Sequence, residues 1–199
     1  MNMAFPRRRS TALSLPNLLT YGRVAAVPAV VALLYWPDEV GARFAALLVF
    51  VAAAVTDYLD GYFARAYGQS SALGRMLDPI ADKLLVAACL LMLAADHVIA
   101  GPSLWAAMTI LCREVLVSGL RQYLAEVKVG VPVSRVAKYK TAVQLIAIGF
   151  LIAGPAGEVV LPQTTTIGLV LLWIAAALTL YTGWDYLKSG IATIIRDDP

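Results

Sequence analysis

The sequence predicts an all-α polytopic membrane protein with six transmembrane helices and both termini on the cytoplasmic side. Of its 199 residues, 60% are hydrophobic and 15% are charged, whereas about 25% of an ordinary soluble domain is charged. Six apolar runs of spanning length follow one another, and short segments with Gly or Pro separate them. This composition excludes an ordinary soluble domain and predicts a single domain embedded in the membrane.

Each predicted helix is an apolar run close to the length of about 20 residues that crosses the hydrocarbon core of a bilayer. We place the six helices at 16–36, 41–66, 73–97, 101–125, 134–154 and 164–188. Helix-breaking residues mark the connections: Pro37-Asp38-Glu39, Gly101-Pro102, Gly130-Val131-Pro132 and Gly154-Pro155. The predicted organisation is a basic N-terminal segment at 1–15, one six-helix domain at 16–190 and a short cytoplasmic tail at 191–199.

Lysine and arginine residues are divided unevenly between the two ends of these helices. One end has Arg43 alone, in a setting that also contains Asp38 and Asp96. The other end collects Arg7, Arg8, Arg9, Arg65, Arg75, Lys83, Arg121, Lys128, Arg135, Lys138, Lys140, Lys188 and Arg196. Because short cytoplasmic loops are enriched in Lys and Arg, we expect a multi-pass protein of the cell inner (plasma) membrane with this second end facing the cytoplasm.

Four carboxylates lie inside or at the edges of the second and third apolar runs: Asp57, Asp60, Asp78 and Asp82. An ionised side chain costs about 2.5–3.5 kcal/mol at the centre of a membrane helix, and four together also repel, so we expect positive charge between them. Asp57 and Asp60 are three residues apart and Asp78 and Asp82 are four apart, so each pair shares a helix face. The turn-like residues 67–71 predict that the pairs face each other.

Carboxylate oxygens are preferred by Mg²⁺ or Mn²⁺ rather than by zinc. Four negative charges can accept two divalent ions, an arrangement that typically serves phosphoryl-transfer chemistry. Gly61, Ala64 and Gly74 leave space beside such ions for a large ligand, and Arg65 can pair with phosphate oxygens. The alternative is a set of solvated carboxylates, each neutralised by a nearby Arg or Lys.

A second polar group lies in the fourth and fifth apolar runs. Arg113 and Glu114 are inside the fourth run, Arg121 follows eight residues later, and Lys138 and Lys140 precede the fifth apolar stretch. These residues either anchor the helices on the cytoplasmic side, with an internal Arg113–Glu114 pair, or form a phosphate pocket.

The spacing D-x-x-D-G-x-x-A-R-x8-G-x3-D-x3-D resembles the signature of the CDP-alcohol phosphotransferase family. All its fixed positions are matched, by Asp57, Asp60, Gly61, Ala64, Arg65, Gly74, Asp78 and Asp82. The resemblance implies transfer of a phosphatidyl or phospho-alcohol group from a CDP-linked donor to an alcohol, with release of CMP. It also implies that Asp57, Asp60 and Asp78 hold the two metal ions, and that Asp82 is both a ligand and the candidate general base.

The same resemblance assigns the ligand sites. Asp60, Gly61, Ala64 and Arg65 would line the nucleotide-diphosphate site, and Gly74 would allow close approach. The segments Pro16-Asn17-Leu18-Leu19-Thr20-x-x-Arg23, Arg113-Glu114 with Arg121, and Lys138-x-Lys140-Thr141 are similar to family members that use glycerol 3-phosphate as the acceptor. This implies CDP-diacylglycerol as the lipid donor, with Asn17 and Thr20 near its cytidine end. It further implies that the acceptor phosphate is bound by Arg113, Arg121 and Lys138.

Other functions stay open at this point. Within the family, the acceptor can instead be phosphatidylglycerol, as in a cardiolipin synthase, or an inositol phosphate or serine. From a different class, a small ion transporter would place its acidic residues at the membrane midplane in two matching halves. Here the acids cluster at one interface and no internal repeat is visible, which favours the enzyme. The resemblance to this family also implies a homodimer. Membrane lipids are expected partners, and no nucleic acid is expected.

Overall fold

The computed structural model describes residues 15–67, 72–127 and 135–197, and these residues form six α-helices. In chain order the helices are α1 (Leu15–Leu34), α2 (Val40–Tyr67), α3 (Ala72–Ala95), α4 (Ser103–Glu126), α5 (Arg135–Gly157) and α6 (Thr164–Asp197). No strand occurs in these ranges, so the predicted all-α class is confirmed. The helices coincide with the six predicted runs, except that α6 continues beyond the predicted end.

Four helices contain a stretch that is long and apolar enough to cross a membrane. These stretches are Val40–Asp57, Ser103–Glu126, Tyr139–Gly157 and Thr164–Lys188. α1 contributes the shorter apolar run Leu18–Leu34, and the first half of α3 carries the charged part of the aspartate motif. The structure therefore supports a membrane protein with four candidate spans, while the six-span topology and the orientation of the termini stay predictions.

α6 is longer than a bilayer requires. Its 34 residues extend about 51 Å at 1.5 Å per residue, whereas the hydrocarbon core is about 30 Å thick. The additional turns lie at the C-terminal end of the helix, after the apolar stretch that ends at Lys188.

The helices associate in an order that brings the motif-bearing segments together. α1 packs against both α2 and α3, α5 packs along α6 and also contacts α2 and α3, and α4 packs chiefly against α6. Phe50, Leu90, Ile110, Ile148 and Leu172 come from five different helices and join one buried core. Because lipid is as apolar as these side chains, their stabilisation in a membrane comes mainly from close van der Waals packing.

Small residues permit this close packing. A Cβ atom added to Gly168 of α6 would lie 2.8 Å from Cγ of Leu151 on α5, so the two helices approach through the bare glycine backbone. The exterior, in contrast, presents large apolar side chains, and Leu48, Trp105 and Val115 are among those that are mostly exposed. Such a surface would favour aggregation in water, and lipid chains can solvate it.

Arg43 organises the end of the bundle where α2 begins. Its Nε donates a hydrogen bond to the Pro37 carbonyl oxygen at 2.7 Å, its Nη1 donates to the Ile152 carbonyl oxygen at 3.2 Å, and it forms an ion pair with Asp96. α5 bends beside it at Gly154, which has φ 45° and ψ −134°. Arg43 thus connects the α1–α2 turn, the end of α3 and the bend in α5.

Candidate active site

A polar cavity of about 240 Å³ lies toward the other end of the bundle and takes its walls from α1 to α5. Asp57, which lines this cavity, follows Arg43 by fourteen residues on α2, or about 21 Å along the helix. Its described walls include carboxylates and cationic side chains: Asp57, Asp82, Glu114, Arg23, Lys83, Arg113, Arg121 and Lys140. The structure therefore joins the acidic motif and the basic group, which are far apart in the sequence, in one site.

Arg23 of α1 lies between the two described aspartates. Its Nη1 is 2.9 Å from Oδ1 of Asp57 on α2 and 2.7 Å from Oδ1 of Asp82 on α3. Arg23 is 1% exposed, while the carboxylate side chains are 44% and 45% exposed. Burial of a guanidinium is tolerated where carboxylates neutralise it. Four neighbouring carboxylates require positive charge between them, and α1 provides it because this helix packs against both α2 and α3.

Asp57 and Asp82 both direct Oδ1 to Nη1 of Arg23, and both line the polar cavity with nearly half of each side chain exposed. Oxygen donors of this type suit Mg²⁺ or Mn²⁺, and Asp57 and Asp82 therefore fit the predicted ligand role. The side chains of Asp60 and Asp78 lie outside the described residues. Among the side chains that are described, no group of three or more potential metal ligands is present.

The basic wall of the cavity is organised by Glu114. Lys140 of α5 forms an ion pair with the Glu114 carboxylate, and Nη1 of Arg113 lies 3.6 Å from Oε1 of the same carboxylate. The predicted Arg113–Glu114 pair is thus present, and it belongs to the cavity wall. Because one carboxylate faces two cations and Arg121 lies nearby, this wall keeps an excess of positive charge, which favours a phosphate group.

α6 contacts this wall from the outside. Nη2 of Arg113 donates a hydrogen bond to Oγ1 of Thr182 at 3.1 Å. The guanidinium carbon of Arg121 lies 5.4 Å from the ring centroid of Tyr186, within the range of a cation–π interaction. Both arginines therefore contact the last helix, and Arg113 is also paired with Glu114 of its own helix.

The predicted site residues divide into two sets. Asp57, Asp82, Arg113 and Arg121 line the common cavity, and Thr20 is buried in α1, one turn before the arginine that joins the aspartates. The remaining predicted residues have side chains outside the described part of the chain: Asn17, Asp60, Gly61, Ala64, Arg65, Gly74, Asp78 and Lys138. Their roles stay predictions.

Some residues in or beside the cavity are not among the predicted site residues. Arg23 could have been found, because a charge within an apolar helix requires a partner. Lys140 follows the predicted Lys138 by two residues and occupies the basic wall. Gln144 lies one turn further along α5 and is buried against the same cavity. Thr182 and Tyr186 carry no sequence signal of this kind, since their partners are about seventy residues away.

An apolar groove of about 590 Å³ adjoins the polar cavity between α2 and α5. Phe44, Phe150 and Gly149 are part of its lining. Ala54 and Leu145 line both the groove and the polar cavity, so the two spaces are adjacent. This arrangement places an apolar surface next to a charged cavity, as a ligand with a polar head and a long apolar tail requires.

These features define a class of protein: a helical protein with candidate membrane spans, whose polar cavity combines carboxylates with cations and adjoins an apolar groove. The family model of CDP-alcohol phosphatidyltransferase matches residues 13–181 of the chain. The chain therefore belongs to the CDP-alcohol phosphatidyltransferase family and is an enzyme of that family. This confirms the resemblance found in the aspartate motif.

Several similar proteins carry the name CDP-diacylglycerol–glycerol-3-phosphate 3-phosphatidyltransferase. The protein of Rickettsia typhi is 46% identical over 177 residues, covering 88% of this chain and 96% of the relative. The protein of Shigella flexneri serotype 5b is 37% identical over 187 residues, covering 92% and 97%. The protein of Cereibacter sphaeroides is 36% identical over 214 aligned residues, covering 89% and 96%. The similarity thus extends over nearly the whole of each protein.

Proposed function

We propose that this protein transfers the phosphatidyl group of CDP-diacylglycerol to glycerol 3-phosphate, producing phosphatidylglycerophosphate and CMP for phospholipid biosynthesis. The family and the names of its relatives support this reaction. The observation that carries it is the single cavity in which Asp57 and Asp82 face Arg113, Arg121 and Lys140. A site that must bring a pyrophosphate donor to a phosphate-bearing acceptor requires both charge types within one small volume.

The chemistry is a substitution at phosphorus. The acceptor hydroxyl oxygen forms a bond to the phosphorus that carries diacylglycerol, the bond from that phosphorus to the CMP oxygen breaks, and the hydroxyl proton leaves. Asp82 is the proposed acceptor of that proton, and Asp78 is the other proposed catalytic aspartate. Hydrogen-bond reach to the reacting hydroxyl decides such a role before basicity does.

The family to which the chain belongs generally depends on divalent metal ions. We assign the ligand role to Asp57, Asp60, Asp78 and Asp82, since carboxylate oxygens suit Mg²⁺ or Mn²⁺ and the two described members line the polar cavity. Bound Mg²⁺ or Mn²⁺ would neutralise charge on the pyrophosphate and on the leaving phosphate. Arg23 keeps Asp57 and Asp82 close together from the side of α1.

The acceptor site lies at the basic wall. The phosphate of glycerol 3-phosphate is a dianion, and Arg113, Arg121 and Lys140 offer it charge-assisted hydrogen bonds. Lys138 is assigned to the same group from the sequence. Oε1 of Gln144 is buried against the cavity and has no hydrogen-bond partner among the described residues, so it is available to a substrate hydroxyl.

The donor site begins at the aspartate motif and continues into the apolar groove. The groove between α2 and α5 suits an acyl chain of CDP-diacylglycerol, because its walls are apolar and it adjoins the polar cavity at Ala54 and Leu145. The nucleotide part is assigned, from the sequence, to Asn17, Thr20, Asp60, Gly61, Ala64, Arg65 and Gly74. A water-soluble acceptor and a lipid donor then meet in the polar cavity beside the groove.

We place the protein in the inner membrane with all six helices spanning, both termini and the cavity on the cytoplasmic side, and two copies in a homodimer. The distribution of Lys and Arg supports this orientation. Labelling of single cysteines introduced at residue 38 and near the C-terminus, with a membrane-impermeant maleimide in spheroplasts, tests the topology. Light scattering of the purified protein tests the dimer.

The reaction is tested by CMP release from purified protein supplied with CDP-diacylglycerol, Mg²⁺ and one acceptor at a time. The acceptors are glycerol 3-phosphate, inositol phosphate, serine and phosphatidylglycerol. We expect release with glycerol 3-phosphate and its loss in Asp78→Asn. Release with a different acceptor would retain the chemistry and change the substrate. A folded protein that binds metal and releases no CMP with any acceptor would contradict the proposed function.

A further inference from the structure

The last helix, α6, carries no part of the aspartate motif or of the predicted basic group, yet it contacts two arginines of the cavity. We propose that Thr182, Gly183 and Tyr186 of α6 are positioning residues that orient Arg113 and Arg121 toward the acceptor phosphate. This inference rests on the proposed function, because it assigns the two arginines to glycerol 3-phosphate. It adds a specificity role for a helix outside the motif.

The first observation concerns the hydroxyl group of Thr182. Its Oγ1 donates to the Leu178 carbonyl oxygen at 2.8 Å, within its own helix, and accepts a hydrogen bond from Nη2 of Arg113 at 3.1 Å. A hydroxyl has only one proton to donate. Since that proton is directed to the helix backbone, a lone pair of the oxygen faces the arginine, and the contact has a defined direction.

The second observation is the space that Gly183 provides. A Cβ atom at this position would lie 3.0 Å from Cγ and 3.3 Å from Nε of Arg113. The aliphatic part of Arg113 therefore lies directly against the α6 backbone, and a larger residue would displace it. Nε of Arg113 is buried and has no hydrogen-bond partner among the described residues.

The third observation lies one turn further along α6. Tyr186 is four residues after Thr182, so both side chains share a helix face, and Arg121 lies over the Tyr186 ring at 5.4 Å. Arg113 and Arg121 are themselves eight residues apart, or close to two turns of α4. The two contacts therefore join corresponding faces of helices that pack against each other.

These contacts should strengthen binding of the acceptor, because they orient Arg113 and Arg121 before the phosphate arrives. A long cationic side chain loses conformational freedom when it binds a phosphate, and this loss is smaller when the side chain is already oriented. Arg113 is restrained by Thr182 and Gly183 on one side and by Glu114 on the other. Removal of the α6 contacts should weaken acceptor binding and leave donor binding unchanged.

The test is steady-state kinetics of the full-length protein in mixed micelles, with the two substrates varied separately. Thr182→Val removes the hydroxyl and keeps the shape, so KM for glycerol 3-phosphate should rise on the order of tenfold, as expected for a hydrogen bond to a charged group. Thr182→Ser should restore the wild-type value. Thr179→Val is the matched control, because Thr179 is equally buried on α6 and its Oγ1 has no hydrogen-bond partner among the described residues.

Two further variants test the proposal if Thr182→Val does not fold. Gly183→Ala should raise the acceptor KM by displacing Arg113, and Tyr186→Leu should raise it about threefold by removing the cation–π contact. Tyr186→Phe should keep the wild-type acceptor KM because the ring remains.

An unchanged acceptor KM in Thr182→Val, Gly183→Ala and Tyr186→Leu would overturn the inference, and so would an equal rise in the KM values of both substrates. The wild-type protein separates this from failure of the function. CMP release with glycerol 3-phosphate but unchanged KM values in the variants rejects only the role of α6. Absence of release by the wild-type protein rejects both.

Discussion

Arg43 allows stability and activity to be separated, because it is buried at the end of the bundle opposite the polar cavity. We consider Arg43→Met, which keeps much of the aliphatic length and removes the guanidinium. The substitution removes the ion pair with Asp96 and the hydrogen bonds to the Pro37 and Ile152 carbonyl oxygens. None of these three partners is among the described residues that line the polar cavity.

The magnitude follows from what remains after the change. Arg43 is 2% exposed and the Asp96 side chain is 15% exposed, so the variant keeps a carboxylate that is mostly buried and has lost its cation. Breaking a buried ion pair by removing one partner costs about 3–5 kcal/mol. The two carbonyl groups also lose donors, at about 1 kcal/mol each where water does not replace them. We therefore expect a loss of about 3–7 kcal/mol in the free energy of unfolding.

The assay is reversible unfolding in mixed micelles with a rising fraction of sodium dodecyl sulfate, followed by tryptophan fluorescence. The chain contains four tryptophans, which provide the signal. Arg43→Met combined with Asp96→Asn is the control. Because the second change removes the uncompensated charge, the double variant should be more stable than Arg43→Met alone. At a temperature where all variants are folded, kcat and both KM values should equal those of the wild type.

Two results would refute this reasoning. The first is additivity: if the losses in unfolding free energy of Arg43→Met and Asp96→Asn simply added in the double variant, Arg43 and Asp96 would not be coupled in the folded protein. If Arg43→Met changed the acceptor KM while stability stayed at the wild-type value, the opposite ends of the bundle would not be functionally separate.

The remaining predictions concern the cavity, the groove and the bend in α5. Asp57→Asn and Asp82→Asn should each lower kcat for CMP release by at least about 100-fold, since changes in the surroundings of metal ligands already cost about 10–100-fold; Asp38→Asn, exposed at the opposite end, should not. Gly149→Phe should fill part of the groove and lower kcat/KM about tenfold for a long-chain donor. This factor corresponds to about two CH₂ groups of the acyl chain that are no longer buried in the groove. A short-chain donor should keep the wild-type kcat/KM. Gly154→Ala should destabilise the protein by about 1–3 kcal/mol in the same unfolding assay, because its φ of 45° is strained for any side chain.

The sequence was sufficient for the helices because their signals are local. Apolar runs of spanning length, interrupted by residues such as Pro37 and Gly101, predict where helices begin and end. α6 is longer than predicted because its final turns, after Lys188, are more polar and do not continue the apolar run. The family motif was also local, since its fixed positions fall within a single stretch of chain, and the matching relatives confirm the family.

What the sequence by itself determined, then, is which side chains share a helix face: Asp57 with Asp60, and Asp78 with Asp82. Helical periodicity fixes such relations within one helix. Which faces meet depends on the packing of whole helices, and the sequence pattern does not encode this directly.

Only the tertiary structure placed Arg23 between two aspartates of different helices, and only it joined Lys140 to Glu114. It alone brought Thr182 of α6 to Arg113 of α4. Each of these contacts joins residues from separate helices, and the free energy that selects them comes from the packing of the complete bundle rather than from any local stretch.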